Sequence, residues 1–324
     1  MKAMLMHILI TGAGGMLGRK LTEWYVREGS AGGHSISRMS LQDICAVVAP
    51  KASFPIESLQ GDLSEPGQAE QLFVGKPDLV FHLAAIVSGE AEQDFARGWR
   101  INFDGTRQLL DAAKMAGNRP RVVFASSIAA FGGPFPNPIP DDFLLAPLTS
   151  YGAAKACGEL MLADYSRKGF IDGVGLRLPT VVVRPGKPNK AASSFFSGII
   201  REPLAGQDAI CPVSPDVRYW VASPRTTIGF LAHAAELNGD DIGPRRTLSL
   251  PGLSLTVGDS IKALERVAGK AVADRIQWKP DPFIEKIVSG WPSNFEARRA
   301  LDLGFQPDAD FESIINAHIE DEVN

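Results

Sequence analysis

The chain has 324 residues, 45% of them hydrophobic and 22% charged, a composition that supports a substantial core and argues against disorder. A net charge of −4 offers no basic footprint for nucleic acid, and no stretch approaches the ~18 consecutive apolar residues of a membrane span. Cys45, Cys157 and Cys211 are odd in number and far apart; they suggest neither a disulfide framework nor metal-ligand spacing, and a metal-free protein of the reducing cytoplasm is expected.

Met1-Lys2 and the apolar residues 3–10 could pass as a short signal peptide. That run leads directly into Thr11-Gly12-Ala13-Gly14-Gly15, however, and cleavage would destroy the best strand in the chain, so the segment is read as structural. Residues 7–11 form this buried strand. Gly12, Gly15 and Gly18 follow at three-residue spacing, then an amphipathic helix through Leu21, Trp24 and Tyr25. Gly12 suits a tight turn, Gly15 lets the backbone approach a pyrophosphate, and Gly18 lets helix and strand pack closely. The helix start would offer N–H groups to phosphate oxygens. An ordinary strand–helix connection is the competing reading, and the strand-before, helix-after context favours the cradle.

A second strand is expected to end near Asp43. A carboxylate there would accept both ribose hydroxyls of a dinucleotide and repel a 2′-phosphate, favouring NAD over NADP, although Arg38 lies just upstream. Asp62, beside Leu63 in a loop before a helix near Pro66, is placed to reach the adenine amine. Residues 78–82 form the next strand and run into Leu83-Ala84-Ala85, small enough to let the backbone pass a flat cofactor; Ser88 would face the nicotinamide end. His82 has no second ligand at useful spacing and reads as a core histidine. A long helical region covers residues 92–116 and contains Asn102. A strand at 121–125 ends in Ser126-Ser127. Strands alternating with helices predict a doubly wound parallel sheet of the Rossmann type, with ligands at the carboxyl ends of the strands.

Between Pro134 and Pro140 proline recurs at every second position, which excludes helix and central strand and predicts a stiff extended loop. The helix that follows, at 153–168, is preceded by Ser150-Tyr151 and carries Lys155. Positions four apart share a helix face, so Tyr151 and Lys155 point into one space. An ammonium beside a phenol is expected to lower the tyrosine pKa, giving a group that takes a proton from an alcohol or returns it to a ketone. Ser127 would stabilise the charge on the reacting oxygen. A strand at 173–178 then delivers Pro179-Thr180 to the ligand edge.

Taken together, Thr11-Gly-Ala-Gly-Gly-Met16-Leu17-Gly18, His82-Leu-Ala-Ala85, Ser126-Ser127 and Tyr151-x-x-x-Lys155 resemble the extended short-chain dehydrogenase/reductase superfamily, of the epimerase/dehydratase type, over roughly the first 240 residues. The resemblance implies a catalytic set of Ser127, Tyr151 and Lys155. It also implies an NAD site along Gly12, Gly15, Met16, Leu17, Gly18, Asp43, Asp62, Leu63, Leu83–Ala85, Asn102, Ser126, Tyr151, Lys155, Pro179 and Thr180. Asn102 would hold a supporting relay or structural role, and the protein would be a homodimer built on the helices near 92–116 and 151–168. A closer likeness lies in His82-Leu-Ala-Ala-Ile-Val-Ser-Gly-Glu90, Arg177-Leu-Pro-Thr and Arg184-Pro-Gly-Lys-Pro-Asn-Lys-Ala-Ala-Ser193, which resemble the D-erythronate dehydrogenases. This implies NAD-dependent oxidation of the C2 hydroxyl of a small sugar acid.

The expected organisation is an NAD-binding domain of residues 1–184 plus about 226–244. A smaller substrate lobe would comprise about 185–225 plus 245–324, with a strand at 247–250 and helices near 257–268, 296–302 and 311–320. A sugar acid needs a cation for its carboxylate and hydrogen bonds for its hydroxyls. Lys187, Asn189, Arg218 and Arg225 are the candidates, with Ser88 and Ser127 nearer the reacting carbon. Two alternatives stay open: a nucleotide-sugar epimerase or dehydratase that keeps its NAD, and a redox regulator that binds NAD without catalysis.

Overall fold

The computed structural model describes residues 5–186 and 193–323. They fall into two compact units, one of Met1–Ala130, Pro147–Arg177 and Ile228–Leu248, the other of Phe131–Ala146, Leu178–Thr227 and Ser249–Asn324. Residues 131–146, which the sequence assigns to the first domain, belong to the second unit.

The first unit is built on a largely parallel sheet. Its strands are β1 (Met6–Thr11), β2 (Ser30–Ala31), β3 (His34–Asp43), β4 (Ile56–Gln60), β5 (Leu79–His82), β6 (Arg121–Ser127) and β7 (Asp172–Leu178). From one edge the order is Thr247–Ser249, β7, β6, β5, β1, β3, β2, with β4 also pairing with β3. The central strands are buried on both faces, so they read as continuous apolar runs such as Ile8-Leu9-Ile10 and Val122-Val123-Phe124. The register brings Thr11 of β1 level with His82 of β5, and His82 level with Phe124 of β6. The carboxyl ends of three adjacent strands therefore form one edge.

Helices α1 (Met16–Glu28), α2 (Gln68–Phe73), α3 (Ser88–Gln93), α4 (Phe95–Trp99), α5 (Gly105–Ala116) and α6 (Ser150–Arg167) connect or cover these strands. The long helical region expected over 92–116 is made of the end of α3, α4, a π-turn at Arg100–Asp104 and α5. Asp94 breaks the run: it leaves helical geometry to cap α4, its side chain accepting from the Arg97 amide at 3.0 Å. Strand β4 goes unread because Ile-Glu-Ser-Leu-Gln is short, half polar and outermost in the sheet.

The second unit has its own core, centred on Phe196, Tyr219, Val221, Leu264 and Ile315. Phe196 and Tyr219 stack with centroids 4.2 Å apart. A three-stranded sheet orders Leu253–Thr256, Arg218–Ala222 and Thr180–Val181. Helix Val257–Ala268 starts on a reciprocal cap between Thr256 and Asp259. Helix Ser194–Leu204 and the strands at Ala209–Cys211 and Arg218–Ala222 fall in the stretch about 185–225, for which no individual elements are predicted from the sequence.

Candidate active site

The glycine turn after β1 is shaped by close backbone approach. Gly12 has φ +72°, and a Cβ there would lie 2.7 Å from the Ala84 amide nitrogen. A Cβ on Gly18 would lie 2.6 Å from the Ala13 Cα and press on the Gly12 carbonyl. Helix α1, whose first residues are Met16 and Leu17, has Gly15 as its N-cap with no side-chain cap and no acidic residue in its first turn. Its leading N–H groups thus suit an anionic oxygen, as the pyrophosphate of a dinucleotide requires. Asp43 ends β3 and accepts from the Gly14 amide at 2.9 Å, which sets a carboxylate against the turn where an adenosine ribose would sit. The residues present fit NAD.

Asp62 is more committed than its sequence position suggests. It accepts from the Ser64 amide (2.9 Å), the Ser64 hydroxyl (2.5 Å) and Arg100 (2.9 Å). Burial opposes its charge, and these partners together hold its pKa below the usual carboxylate value. Neighbouring Leu63 is buried. Leu83, Ala84 and Ala85 follow β5 in half-buried extended chain, and Ser88 opens α3. The ring nitrogens of His82 lie 2.9 Å from the Thr11 hydroxyl and 3.0 Å from the Thr106 hydroxyl. Burial, then the Lys155 charge, push its pKa down to about 3, so it is a neutral brace between β1, β5 and α5. Asn102, in the π-turn, uses both ends of its amide on Ile86, accepting from its N–H at 2.9 Å and donating to its carbonyl at 3.1 Å. As placed, it fixes the chain after β5.

Thr149 caps α6 by accepting from the Gly152 amide at 3.0 Å, so Tyr151 lies inside the first turn. Gly152 lets that turn abut the end of β6: a Cβ there would lie 2.9 Å from the Ala129 carbonyl carbon. The approach puts the Tyr151 phenol beside the Ser127 hydroxyl. Burial raises the phenol's pKa above its ordinary value and Ser127 works against it. The direction is opposite to the sequence expectation that Lys155 would lower it. The cause is burial of the phenol; Lys155, 3% exposed, donates to the Ala125 carbonyl at 2.7 Å and stands 4.8 Å over the Phe124 ring, with the Tyr151 ring centroid 5.6 Å away. Burial lowers the Lys155 pKa to about 8, and the Glu159 carboxylate opposes that fall.

Ser126 and Ser127 point to opposite faces, as successive strand residues must. Ser126 turns into the core and donates to Glu159 at 2.5 Å, so its hydroxyl is engaged away from a cofactor. No local pattern signals this contact, because Ser126 and Glu159 are 33 residues apart.

Pro179 and Thr180 belong to the second unit, where Thr180 pairs with Val221. Lys187 and Asn189 lie outside the described residues. Arg218 is exposed and donates to the Ser254 carbonyl at 3.0 Å, while Arg225 is held by Glu320 (2.9 Å) and Asp321 (2.6 Å). Arg184, not singled out from the sequence, is different. Its guanidinium donates to the Ser193 hydroxyl at 3.1 Å, and among the described residues no carboxylate pairs with it. The adjacent Arg201 takes Glu202 at 2.5 Å. Partial burial and that second guanidinium lower the Arg184 pKa. Among the described residues no cluster of His, Cys, Asp and Glu could hold a metal, and no helix is long and apolar enough to cross a membrane.

Comparison with known proteins agrees with this geometry. The NAD dependent epimerase/dehydratase family pattern matches residues 8–221. A D-erythronate dehydrogenase of Cupriavidus necator is 49% identical over 98% of this chain and 98% of its own length. A D-erythronate dehydrogenase of Haemophilus influenzae is 41% identical over 97% of this chain and 99% of its own. A crystal structure described as a nucleoside-diphosphate-sugar epimerase from Agrobacterium tumefaciens superposes with a TM-score of 0.97 at 54% identity, covering 99% of this chain and 95% of that one. On the glycine cradle, the sheet order and these matches, the chain belongs to the NAD-dependent epimerase/dehydratase family, the extended short-chain dehydrogenases and reductases.

Proposed function

We propose that the protein oxidises the C2 hydroxyl of D-erythronate to the 2-oxo acid, with Ser127, Tyr151 and Lys155 as the catalytic residues. At the level of class it is an NAD-dependent sugar-acid dehydrogenase. The observation that carries this reading is the pair of near-full-length relatives bearing that activity in their names. NAD, when bound, supplies the hydride acceptor. The chain supplies the rest: the Tyr151 phenolate takes the hydroxyl proton as the carbonyl forms, and Ser127 donates to the substrate oxygen as charge builds on it. The Lys155 ammonium favours the phenolate over the phenol. The oxidation releases one proton, which resides on Tyr151 before passing to water. The same proposal includes a cytoplasmic homodimer; the three unpaired cysteines suit a reducing compartment.

The acid's carboxylate is assigned to Arg184, a half-buried guanidinium with no acidic partner among the described residues, ahead of Arg218 and Arg225. Arg184→Met is expected to raise the KM for the sugar acid by about 10–100-fold, the value of a charge-assisted hydrogen bond, while the Kd for NAD changes less than threefold. Steady-state kinetics and calorimetry read the two numbers, and an unchanged KM would remove Arg184 from the site.

The direct test is NADH absorbance with purified protein, NAD and a panel of four- to six-carbon sugar acids. D-Erythronate should be oxidised with the highest kcat/KM of the panel, and equal or faster NADH formation with another acid would overturn the substrate assignment. The description of the Agrobacterium structure favours a second reading, a nucleotide-sugar epimerase. It predicts no net NADH with any acid and interconversion of a nucleoside-diphosphate sugar, so one pair of assays separates the two.

A further inference from the structure

Beneath the proposed catalytic helix face lies a charge pair the mechanism does not use. Glu159 is 4% exposed and one helical turn beyond Lys155. Arg177 of β7 grips its carboxylate with Nε at 3.0 and 3.1 Å from the two oxygens and a terminal nitrogen at 2.8 Å, and Ser126 adds its hydroxyl. Two ions so deeply buried are costly to desolvate, and a hydrophobic pair would hold the helix to the sheet as well. Geometry gives the carboxylate another task. It lies one turn from Lys155 on the same helix, whereas Tyr151 is two turns away, about 12 Å at 1.5 Å per residue.

We propose that Glu159, anchored by Arg177 and Ser126, is a positioning residue that keeps Lys155 charged, and so raises the share of the ammonium–phenolate form of the Lys155–Tyr151 pair relative to the amine–phenol form. This rests on the acid–base roles proposed above. The pair loses its first proton in either of two ways, and only the ammonium–phenolate product can take a proton from an alcohol while holding its positive charge. The phenol is already disfavoured as an anion by burial, and Lys155 is disfavoured as a cation by the same cause. A fixed negative charge one turn from the lysine and two from the tyrosine tilts the balance.

The other groups around Lys155 do not supply that tilt. His82 of β5 is neutral, and Phe124 and the Ala125 carbonyl of β6 carry no formal charge. Arg177 of β7 is positive and turned onto Glu159. Glu92 of α3 is bound to the Ser150 amide, and Asp111 of α5 to the Tyr165 hydroxyl.

The test is the pH profile of kcat/KM for D-erythronate at saturating NAD, in wild type and Glu159→Gln. Below the break the two curves should coincide, because there the rate depends only on the Tyr151 proton. Above it the variant should level off earlier, its break about one pH unit lower and its plateau about tenfold lower, one unit of pKa being one factor of ten. A purely structural pair would instead lower Tm and the yield of active protein, scaling the whole curve and leaving the break where it was. If the single variant does not fold, Glu159→Gln combined with Arg177→Met removes both charges and is expected to move the break in the same direction by less, because the nearby positive charge goes as well. An NMR titration of lysine ε-methylene signals in the full chain, with Lys155 assigned by Lys155→Met, gives an activity-independent reading: a midpoint near 8 in wild type and a lower one in the variant. A coincident break or an unmoved midpoint overturns the proposal. Wild-type enzyme with no turnover of any acid would instead overturn the substrate reading, and the titration would still decide this one.

Discussion

Tyr151→Phe is expected to lower kcat by about 10²–10⁴-fold, the usual worth of a positioned acid–base group, while the Kd for NAD stays within a factor of two or three. The phenylalanine keeps the ring that packs beside Ser127 and under Lys155 and removes only the oxygen that carries the proton. Because burial raises the Tyr151 pKa, the phenolate is scarce at neutral pH. Oxidation should therefore speed up as pH rises from the acid side, and reduction of the 2-oxo acid, which needs the phenol, should hold up at lower pH. Rates in both directions between pH 6 and 10, with NAD affinity by calorimetry, give all three readings. A variant that retained ordinary turnover would end the proposed mechanism.

Gly12→Ala is expected to weaken NAD binding at least tenfold and to destabilise the fold by about 3 kcal/mol. Two costs add. A left-handed backbone at φ +72° costs a residue with a Cβ about 1–2 kcal/mol. That Cβ would also stand 2.7 to 2.9 Å from backbone atoms of Leu83 and Ala84, which no side-chain rotation relieves, and overpacking of this kind costs about 1–3 kcal/mol. The backbone can move apart only by displacing the turn that presents α1 to the phosphates. Urea denaturation reads the stability and calorimetry the affinity. By contrast Gly29→Ala, also at positive φ but with open space around its Cβ, should lose only the conformational share and leave NAD binding alone.

Local patterns carried much of this protein. The apolar runs of β1 and β6, the three-residue glycine spacing and the Tyr-x-x-x-Lys helix start are readable because each depends on neighbours a few residues away. Helix Val257–Ala268 falls where its periodicity puts it. The π-turn at Arg100–Asp104 is invisible to such patterns, since nothing in Arg-Ile-Asn-Phe-Asp departs from helical spacing; Asn102's bonds to Ile86 accompany it only once the chain is folded.

Charge partnerships were least legible. Arg225 reads as an available cation until Glu320 and Asp321 arrive from 95 and 96 residues away. Arg184 shows nothing special in the sequence until folding half-buries it beside Arg201, with no carboxylate on it among the described residues. The sequence by itself determined the alternation of strand and helix, the phosphate-suited turn and the residues of the proposed trio, because these follow from backbone geometry and short-range spacing. Only the tertiary structure decided which way the Tyr151 pKa moves, where the Lys155 ammonium points and that Glu159 and Arg177 meet beneath it. Burial and long-range electrostatics set those outcomes, and neither leaves a periodic trace in the chain.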